Sequence, residues 1–433
     1  MANITDKIRQ QFDRLPYPNH PLEAMPSRRE FYRHDIATPF YLKYQKVVAP
    51  SEKVILDAGC GSGYKALVLA KANPGAKIVG IDLSPESVKL ARTRLQDRGI
   101  ENAEFHALSI EDLPQLGMKF DYINCDEVLY LLPDPIAGLQ AMQSVLNPDG
   151  IIRANLHSRF QRERYFRAQE LCRSLGLMEA SPGDLEIELL EETMAALKDD
   201  VSLKKNSWVS IKGNEEKILA NYMLQGDRGF TINDLFAMLE RSQLEFIAMV
   251  NWRQWEITQL FQNPDDLPAF VAMGLSEATP EEQLHLFELL HPVHRLLDFW
   301  CGHPRTDGEF LAVDEWEDEQ WQNAIAYLHP QLQTAEVRTG LEKSAAHFEV
   351  FPLGDRFPIP GVPQVLADSA LSACLLPLWE KPHAIVDLAR RWHQLRPLHP
   401  VTLQPISLAE SVTAVRRLLT TAFDFGYVLL ETQ

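Results

Sequence analysis

The sequence is poor in the features that indicate disulfide frameworks, metal sites or membrane spans. Its five cysteines are scattered and odd in number, and none forms a C-x-x-C pair, so reduced thiols are expected. The histidines lack the spacing of a metal-ligand set, and no metal is predicted. No apolar run reaches about 18 residues and no signal peptide opens the chain, which favours a soluble, cytoplasmic protein without a membrane span.

An excess of basic residues is also missing. The chain carries 42 Lys and Arg against 60 Asp and Glu, which gives a net charge of -18. Too few cations are available to replace phosphate counterions, so a nucleic-acid partner is not expected. Because 45% of the 433 residues are hydrophobic, the chain can build a sizeable core and two or three domains.

One stretch, Val54 to Gly63, has the pattern of a buried strand that runs into a tight glycine turn. Apolar or β-branched residues lead into three glycines spaced G-x-G-x-G, and a helical pattern follows from Lys65 to Lys71. Glycines tolerate positive φ and let a ligand approach bare backbone, and the helix N-terminus offers unpaired N–H groups to an anion. Alone the pattern is a weak signal, because P-loops, dinucleotide sites and plain turns share it.

Four further strand patterns follow, separated by helices or loops. They cover residues 77–81, 102–106, 120–125 and 151–154. Asp82 ends the first of them about 20 residues after the glycines, where a carboxylate can accept both hydroxyls of a ribose. Alternating strands and helices predict an α/β fold with a parallel sheet, whose ligands bind at the strand C-termini.

These motifs resemble those of the class I S-adenosylmethionine-dependent methyltransferases. The matching segments, in family order, are LDAGCGSG (56–63), VGIDLSPESVKLAR (79–92), FDYINCDEVLYLLPDP (120–135) and LNPDGI (146–151). No Walker lysine follows the glycines, and the turn differs from the G-x-G-x-x-G of nicotinamide enzymes. The resemblance implies a Rossmann-like, doubly wound, mostly parallel sheet, S-adenosyl-L-methionine as cofactor and methyl transfer as the reaction.

The resemblance also implies contacts to the cofactor. Asp57 and the glycines would hold its methionine part, Asp82 its ribose and Leu83 its adenine. Ser109 and Ile110 stand where the family usually has an acidic residue followed by a small or apolar one, so the serine is a departure. The predicted cofactor-binding residues are Asp57, Gly59, Gly61, Gly63, Asp82, Leu83, Ser109, Ile110 and Asp126, with Tyr17 and Tyr32 from the N-terminal arm.

The catalytic residues are predicted at Asp126, Glu127 and Tyr130, which follow the fourth strand pattern. Asp126 or Glu127 could orient a nucleophile or take its proton. A contact to the cofactor amine, or a solvated loop, is an equal alternative for these residues. The N-P-P-Y signature of amide- and base-amine N-methyltransferases is absent, because residues 125–128 read Cys-Asp-Glu-Val.

Residues 1–50 are predicted to form an N-terminal arm or lid. An amphipathic helix from Ile4 to Leu15 precedes a proline-rich stretch and several aromatic residues. The arm either packs its aromatic residues on the domain or closes the nucleoside pocket, with Tyr17, Tyr32 or Tyr41 near the donor. The lid is implied by resemblance to bacterial protein methyltransferases.

The rest of the chain divides into three predicted parts. The methyltransferase domain covers 51–255 and includes a helical insertion, 156–228, next to the substrate side. A helical connector, 256–305, and a winged-helix-like module, 306–433, follow. The acidic balance favours a protein-docking or regulatory role for this module over DNA binding. Its layout is similar to the regulatory region of bacterial outer-membrane-protein lysine methyltransferases.

The insertion and the C-terminal module favour a protein acceptor. The segments FDRLPYP (12–18) and HPVHRLLDFWC (291–301) resemble cyanobacterial phycobilisome asparagine methylases. That resemblance implies N-methylation of an asparagine side-chain amide in phycobiliprotein β-subunits. Two alternatives stay open: a small-molecule methyltransferase acting on a lipid, quinone or secondary metabolite, and a regulatory binding protein that only senses the cofactor.

Overall fold

The computed structural model describes residues 4–14, 20–305, 310–356, 365–399 and 401–432. The chain divides into two compact units. The first unit comprises Met1–Met25, Glu52–Ala70 and Gly75–Pro304, and the second comprises Pro26–Ser51, Lys71–Pro74 and Arg305–Gln433.

The helices and strands are numbered in chain order. The strands are β1 (Val54–Ala58), β2 (Lys77–Asp82), β3 (Ala103–Ala107), β4 (Phe120–Cys125), β5 (Leu146–His157), β6 (Glu245–Met249), β7 (Leu296–Gly302), β8 (Ala324–Leu328), β9 (Phe351–Pro352), β10 (Leu366–Ala367), β11 (His383–Ala384) and β12 (Val428–Thr432). The helices are α1 (Ile4–Arg14), α2 (Arg28–His34), α3 (Ala37–Tyr44), α4 (Tyr64–Ala72), α5 (Pro85–Asp97), α6 (Pro135–Val145), α7 (Arg159–Ser174), α8 (Asp184–Ala196), α9 (Ser202–Asn206), α10 (Glu215–Asn221), α11 (Ile232–Arg241), α12 (Ala269–Glu277), α13 (Pro280–Leu290), α14 (Asp318–Asn323), α15 (Ala335–His347), α16 (Ser369–Glu380), α17 (Ile385–Leu395) and α18 (Leu408–Asp424).

The first unit is organised around a seven-stranded sheet with the strand order β3-β2-β1-β4-β5-β7-β6. Neighbours among β1 to β5 pair in parallel, whereas β7 runs antiparallel to β5 and to β6. The central strands are buried on both faces, which explains their continuous apolar runs. The predicted Rossmann-like, mostly parallel fold is confirmed. The strand order reverses between β1 and β4, so a ligand is expected at the C-terminal ends of these strands.

The segment 256–305, expected to be a helical connector, also supplies a strand of the main sheet. It contains α12 and α13, and then β7, which inserts between β5 and β6. Phe299, Trp300 and Cys301 in β7 are fully buried. A short, continuous apolar run without alternation does not distinguish a buried strand from a buried helix. The strand therefore could not be identified from its pattern.

The helical insertion at 156–228 has a small core of its own. Helices α7 to α10 enclose buried residues that include Cys172, Met194 and Tyr222. The end of the insertion returns to the sheet, where the backbone N–H of Phe230 donates to the carbonyl of His157 at 2.8 Å. This return places the last residues of the insertion beside the C-terminal end of β5.

The second unit is built around a three-stranded antiparallel sheet with the order β11-β8-β12. Part of the predicted N-terminal arm belongs to it, because Ala37 and Tyr41 of α3 pack on Leu429 of β12. The hydroxyl of Tyr41 donates to the carbonyl of Leu430 at 2.6 Å. The predicted arm therefore contains a boundary between the units, after Met25, and its predicted end at residue 50 lies one residue from the boundary between Ser51 and Glu52. Among the helices within the described ranges, none has both the length and the apolar character needed to cross a membrane.

Candidate active site

A cleft of about 230 Å³ opens at the C-terminal edge of the parallel strands in the first unit. The loops that follow β1 to β4 line it, and α1 lines one side with Ile8, Arg9 and Phe12. It lies at the reversal of strand order, where ligands bind in folds of this type. We refer to it as the cofactor cleft.

The glycine turn after β1 brings bare backbone to this cleft. Gly59 and Gly61 line the cleft and have φ angles of +83° and +48°. A Cβ atom on Gly59 would lie 2.4 Å from Cγ2 of Val128, so no side chain fits there. Gly63 has a different role, because a Cβ atom on it would lie 2.5 Å from the Cα of Ala91 in α5. Gly63 therefore permits the close packing of two helices and does not line the cleft.

Asp57 lies at the end of β1 with its carboxylate buried. Its Oδ1 accepts a hydrogen bond from Asn124 Nδ2 at 2.9 Å, whereas Oδ2 has no partner among the described residues. Burial raises the pKa of Asp57 to about 7. A buried carboxylate oxygen without a donor is costly, and the ammonium of the methionine part of S-adenosylmethionine is the kind of group that would satisfy it.

Asp82, at the end of β2, presents its carboxylate to the cofactor cleft. Its two oxygens accept hydrogen bonds from the backbone N–H groups of Gly61 and Ser84, each at 2.9 Å. Burial raises its pKa above the ordinary value. Each carboxylate oxygen can accept a second hydrogen bond, so the pair fits two ribose hydroxyls. Leu83 lines the same cleft and is 36% exposed, which leaves an apolar surface for an adenine ring.

The loop after β3 differs in detail from the expectation. Ser109 donates to Asp112 Oδ2 at 2.9 Å and is not among the residues that line the cofactor cleft. Leu108, Ile110 and Glu111 line it instead. Glu111 therefore brings a carboxylate to this part of the cleft, two residues after Ser109, where the resembled family usually has its acidic residue.

Asp126 is held by cations and amides on the cofactor side. Its carboxylate contacts Lys65 Nζ at 3.2 Å and Arg153 Nη2 at 3.5 Å, and it accepts a hydrogen bond from Asn155 Nδ2. Its side chain is only 4% exposed. In this environment the Asp126 carboxylate is better suited to a fixed polar contact with the cofactor than to exchanging a proton with an acceptor.

A second cleft, of about 340 Å³, adjoins the cofactor cleft and shares Phe12, Glu127 and Leu131 with it. We refer to it as the acceptor cleft. Helix α10 of the insertion lines part of it, which agrees with the expectation that the insertion is next to the substrate side. Glu127 has a φ angle of +64°, which is unusual for a residue with a side chain.

Glu127 is the centre of a polar network in the acceptor cleft. Arg295 donates two hydrogen bonds to its carboxylate, and Tyr130 donates one at 2.9 Å. Burial by itself raises the pKa of Glu127, but the charge and hydrogen bonds of Arg295 lower it further than burial raises it. The net pKa is well below the ordinary value, so Glu127 is ionised.

A buried histidine and aspartate, which the sequence analysis missed, extend this network. His157 Nδ1 lies 2.6 Å from Asp227 Oδ1, and the His157 ring stacks on Tyr130 with ring centroids 3.7 Å apart. Asp227 Oδ2 accepts hydrogen bonds from Arg162 at 3.2 Å and from Gln169 at 2.8 Å. His157 ends β5 and Asp227 ends the insertion, so no local motif joins them.

Asp57, Gly63 and Ser109 are not among the residues that line the cofactor cleft, and two further predicted cofactor residues belong to the N-terminal arm. Tyr17 lies outside the described residues. Tyr32 belongs to the second unit, where its side chain is 2% exposed. Its predicted contact to the cofactor has no support from the residues that line the cleft.

Comparison with known proteins identifies a methyltransferase domain within the chain and a known fold. Residues 50–226 match a family model described as a methyltransferase domain. An uncharacterised protein of Synechococcus sp. is 26% identical over 323 residues, which cover 73% of this chain and 75% of that protein. The ubiquinone biosynthesis O-methyltransferase of Actinobacillus pleuropneumoniae is 34% identical over 124 residues, and the match spans only 52% of that enzyme and 27% of this chain.

The solved structure of PKMT2 from Rickettsia typhi in complex with AdoHcy has the same fold. Its TM-score is 0.57 at 17% identity, over 96% of this chain and 78% of that chain. Most of the residues that line the cofactor cleft, including the glycine turn and Asp82, lie within the matched residues 50–226. The chain is an S-adenosylmethionine-dependent methyltransferase, with its methyltransferase domain at residues 50–226.

Proposed function

We propose that this enzyme methylates the side-chain amide nitrogen of an asparagine in a protein acceptor, and that a phycobiliprotein β-subunit is the first acceptor to test. The observation that carries the proposal is the Glu127–Arg295 pair, which lies in the acceptor cleft where that cleft meets the cofactor cleft. The resemblance of the chain to asparagine methylases supports the choice of acceptor.

The Glu127–Arg295 pair is complementary to a primary amide. An amide presents N–H donors and a carbonyl acceptor, while Glu127 can accept hydrogen bonds and Arg295 can donate them. The Arg295 side chain is 44% exposed, so it can turn toward a new partner, whereas Glu127 is 16% exposed. An asparagine amide could therefore place its nitrogen at Glu127 and its oxygen at Arg295.

This placement addresses the low nucleophilicity of an amide. The nitrogen lone pair is delocalised into the carbonyl group. A carboxylate that accepts the N–H raises the electron density on the nitrogen, and a guanidinium at the carbonyl oxygen holds the amide in one orientation. When bound, S-adenosylmethionine supplies an electrophilic methyl group on a sulfonium. The residues of the chain mainly have to hold the nitrogen aligned with that methyl group.

The low pKa of Glu127 is compatible with this role. Glu127 is ionised, so it can accept the N–H of the amide. The N–H becomes much more acidic as the nitrogen forms its new bond, and a weak base is then sufficient to take the proton. A strong base is not required before the methyl group is transferred.

A lysine acceptor fits the same cleft less well. A lysine must lose its proton before its nitrogen can act as a nucleophile, and Arg295 already balances the charge of Glu127. Lys217 also lines the cleft. The ammonium of an acceptor lysine would be the second in this cleft, and it would find the negative charge of Glu127 already neutralised by Arg295.

O-methylation of a small hydroxylated molecule is the second candidate. The similarity of part of the chain to ubiquinone biosynthesis O-methyltransferases favours it. A histidine beside an aspartate, as at His157 and Asp227, is also an arrangement that can take a proton from a hydroxyl group.

The two candidates differ in where the methyl group goes. Incubation of the enzyme with methyl-labelled donor and a cell extract should give label that migrates with protein. Label recovered only in the solvent-extractable fraction would favour the small-molecule reaction and contradict a protein acceptor. Asp82→Ala, which lacks the predicted ribose contact, serves as the control for enzyme-independent labelling.

A further inference from the structure

We propose that the proton leaving the acceptor nitrogen passes through Glu127 to His157, an inference that rests on the proposed amide methylation. Asp227 is the positioning residue that prepares His157 to receive the proton. His157 and Asp227 belong to no motif of the sequence. The inference depends on how the fold assembles the end of β5, the end of the insertion and the start of β7 around the acceptor cleft.

Asp227 fixes which ring nitrogen of His157 carries hydrogen. Burial by itself raises the pKa of Asp227, but the hydrogen bond from His157, the charge of Arg162 and the hydrogen bond from Gln169 lower it below the ordinary value. An ionised carboxylate can only accept hydrogen bonds, so Nδ1 of His157 must be the donor across the 2.6 Å contact. In the neutral ring, Nε2 then carries the lone pair.

The environment of Asp227 keeps this arrangement rigid. Its side chain is fully enclosed, and that of Arg162 is 1% exposed. Arg162 and Gln169, both on α7, donate to Oδ2 and leave Oδ1 for His157. The stacked ring of Tyr130 holds the plane of the imidazole. His157 therefore has one accessible function, which is to accept a proton at Nε2.

The Nε2 atom of His157 faces the acceptor cleft next to Glu127. It lies 3.7 Å from Glu127 Oε2 and accepts a hydrogen bond from Arg295 Nη1 at 3.1 Å. The same Nη1 donates to Glu127 Oε2 at 2.9 Å. If Arg295 turns to the carbonyl of the acceptor amide, the lone pair of Nε2 is left facing Glu127, across a gap that a small side-chain shift would close.

The relay conserves atoms and electrons over the whole reaction. The amide nitrogen forms a bond to the methyl carbon, the carbon–sulfur bond of the donor breaks, and its electron pair stays on sulfur. The proton of the nitrogen passes to Glu127 and then to Nε2 of His157, which becomes an imidazolium. Glu127 is again a carboxylate, and the proton leaves to solvent through the acceptor cleft.

The charged groups around His157 set the pH dependence of this step. Asp227 lies at Nδ1 of His157, and Glu127 and Arg295 lie at its Nε2. The other charged or titratable groups that face this site are Arg162 behind Asp227, Tyr130 on the ring face, and Glu216 and Lys217 of α10 in the cleft wall.

The test measures single-turnover methyl transfer to a phycobiliprotein β-subunit over a range of pH. The wild-type rate should fall on the acidic side, because the relay requires the lone pair of Nε2. His157→Gln should reduce the rate by roughly 10²-fold, as expected for loss of a proton acceptor, and should remove this acidic limb. Asp227→Asn should also lower the rate and displace the limb. His347→Gln, at an exposed histidine of the second unit, should leave both unchanged.

Chemical rescue separates the relay from a structural role. His157→Ala should regain part of its rate when imidazole is added, with a pH dependence set by the added base. Circular dichroism and donor titration establish that each variant is folded, and a solvent isotope effect on the wild-type rate tests proton transfer without any variant.

Three results would overturn the inference in different ways. A folded His157→Gln variant that retains the wild-type pH profile, or a wild type without a solvent isotope effect, would remove the relay and leave amide methylation standing. A wild-type enzyme that methylates no amide in this acceptor would remove both the proposed function and the relay.

Discussion

Replacement of Glu127 by glutamine is the perturbation that separates the roles assigned to the two clefts. Glutamine keeps the shape of the side chain and one oxygen that can accept from Tyr130, but it removes the charge that pairs with Arg295. It also removes the group proposed to take the acceptor proton. We therefore expect a large loss of turnover and little change in donor affinity.

The expected magnitudes follow from the contacts of Glu127. Loss of a proton acceptor reduces turnover by about 10²-fold or more. Loss of the charge-assisted hydrogen bonds from Arg295 would cost roughly 1–2 kcal/mol in the free energy of unfolding, since Arg295 is 44% exposed and solvent screens the pair. A change of that size lowers Tm by only a few degrees, so the variant should stay folded.

The assay combines single-turnover methyl transfer, donor titration by calorimetry and thermal unfolding. The matched control is Glu163→Gln on α7, where the glutamate is 62% exposed and forms a surface ion pair with Arg167. This control makes the same chemical change without altering either cleft. It should retain wild-type turnover and donor affinity. Its free energy of unfolding should stay within about 0.5 kcal/mol of the wild-type value, with little change in Tm.

Two outcomes would refute the reasoning on Glu127. Wild-type turnover in Glu127→Gln would show that its carboxylate takes no part in the reaction. A loss of donor affinity as large as the loss of turnover would place Glu127 among the cofactor contacts, which is the alternative that the sequence left open.

Three further predictions concern the cofactor cleft and the second unit. Asp82→Ala should weaken donor binding by roughly 10²–10⁴-fold, the value of two charge-assisted hydrogen bonds, and unchanged affinity in calorimetry would remove the ribose assignment. Burial raises the pKa of Asp35 from 3.8 to about 7, so its folded form retains a proton that the unfolded form has lost, and stability should fall as pH rises through that window. Asp35→Asn should remove up to about 4 kcal/mol of this loss, which accrues between about pH 4 and pH 7, and an unchanged pH dependence in denaturant titrations would contradict it. Deletion of 305–433 should preserve donor binding, because the cofactor cleft belongs to the first unit, while it should reduce transfer to a protein acceptor and expose the apolar face around Tyr41. Undiminished transfer by a folded truncation would exclude a docking role for this region.

The local sequence was sufficient to predict the first five strands and the glycine turn. Four of them, β1, β2, β4 and β5, combine a buried apolar run with flanking glycine, proline or acidic residues, and the order of all five leaves few topologies for a parallel sheet. Asp82 and Leu83 line the cofactor cleft for the same reason, since the end of a predicted strand fixes where they stand.

The acceptor cleft could not be predicted in the same way, because its residues come from distant segments. Glu127 and Tyr130 were found from their position after β4, but Arg295 and His157 meet them only through the insertion of β7 beside β5. Asp227 reaches His157 through the return of the insertion to the sheet. Periodicity carries no information on such pairings. A signal was present in the isolated His-Arg pair at 294–295, directly before an apolar run.

The measurement that tests the central claim most directly is the location of the transferred methyl group. Purified phycobiliprotein β-subunit is incubated with the enzyme and methyl-labelled S-adenosylmethionine, and the digested acceptor is sequenced by tandem mass spectrometry. The account predicts one added methyl group on the side chain of a single asparagine, and none with Glu127→Gln over the same time. A methyl group found only on lysine, on a carboxylate or on an extractable small molecule would contradict amide methylation and leave the methyltransferase assignment intact.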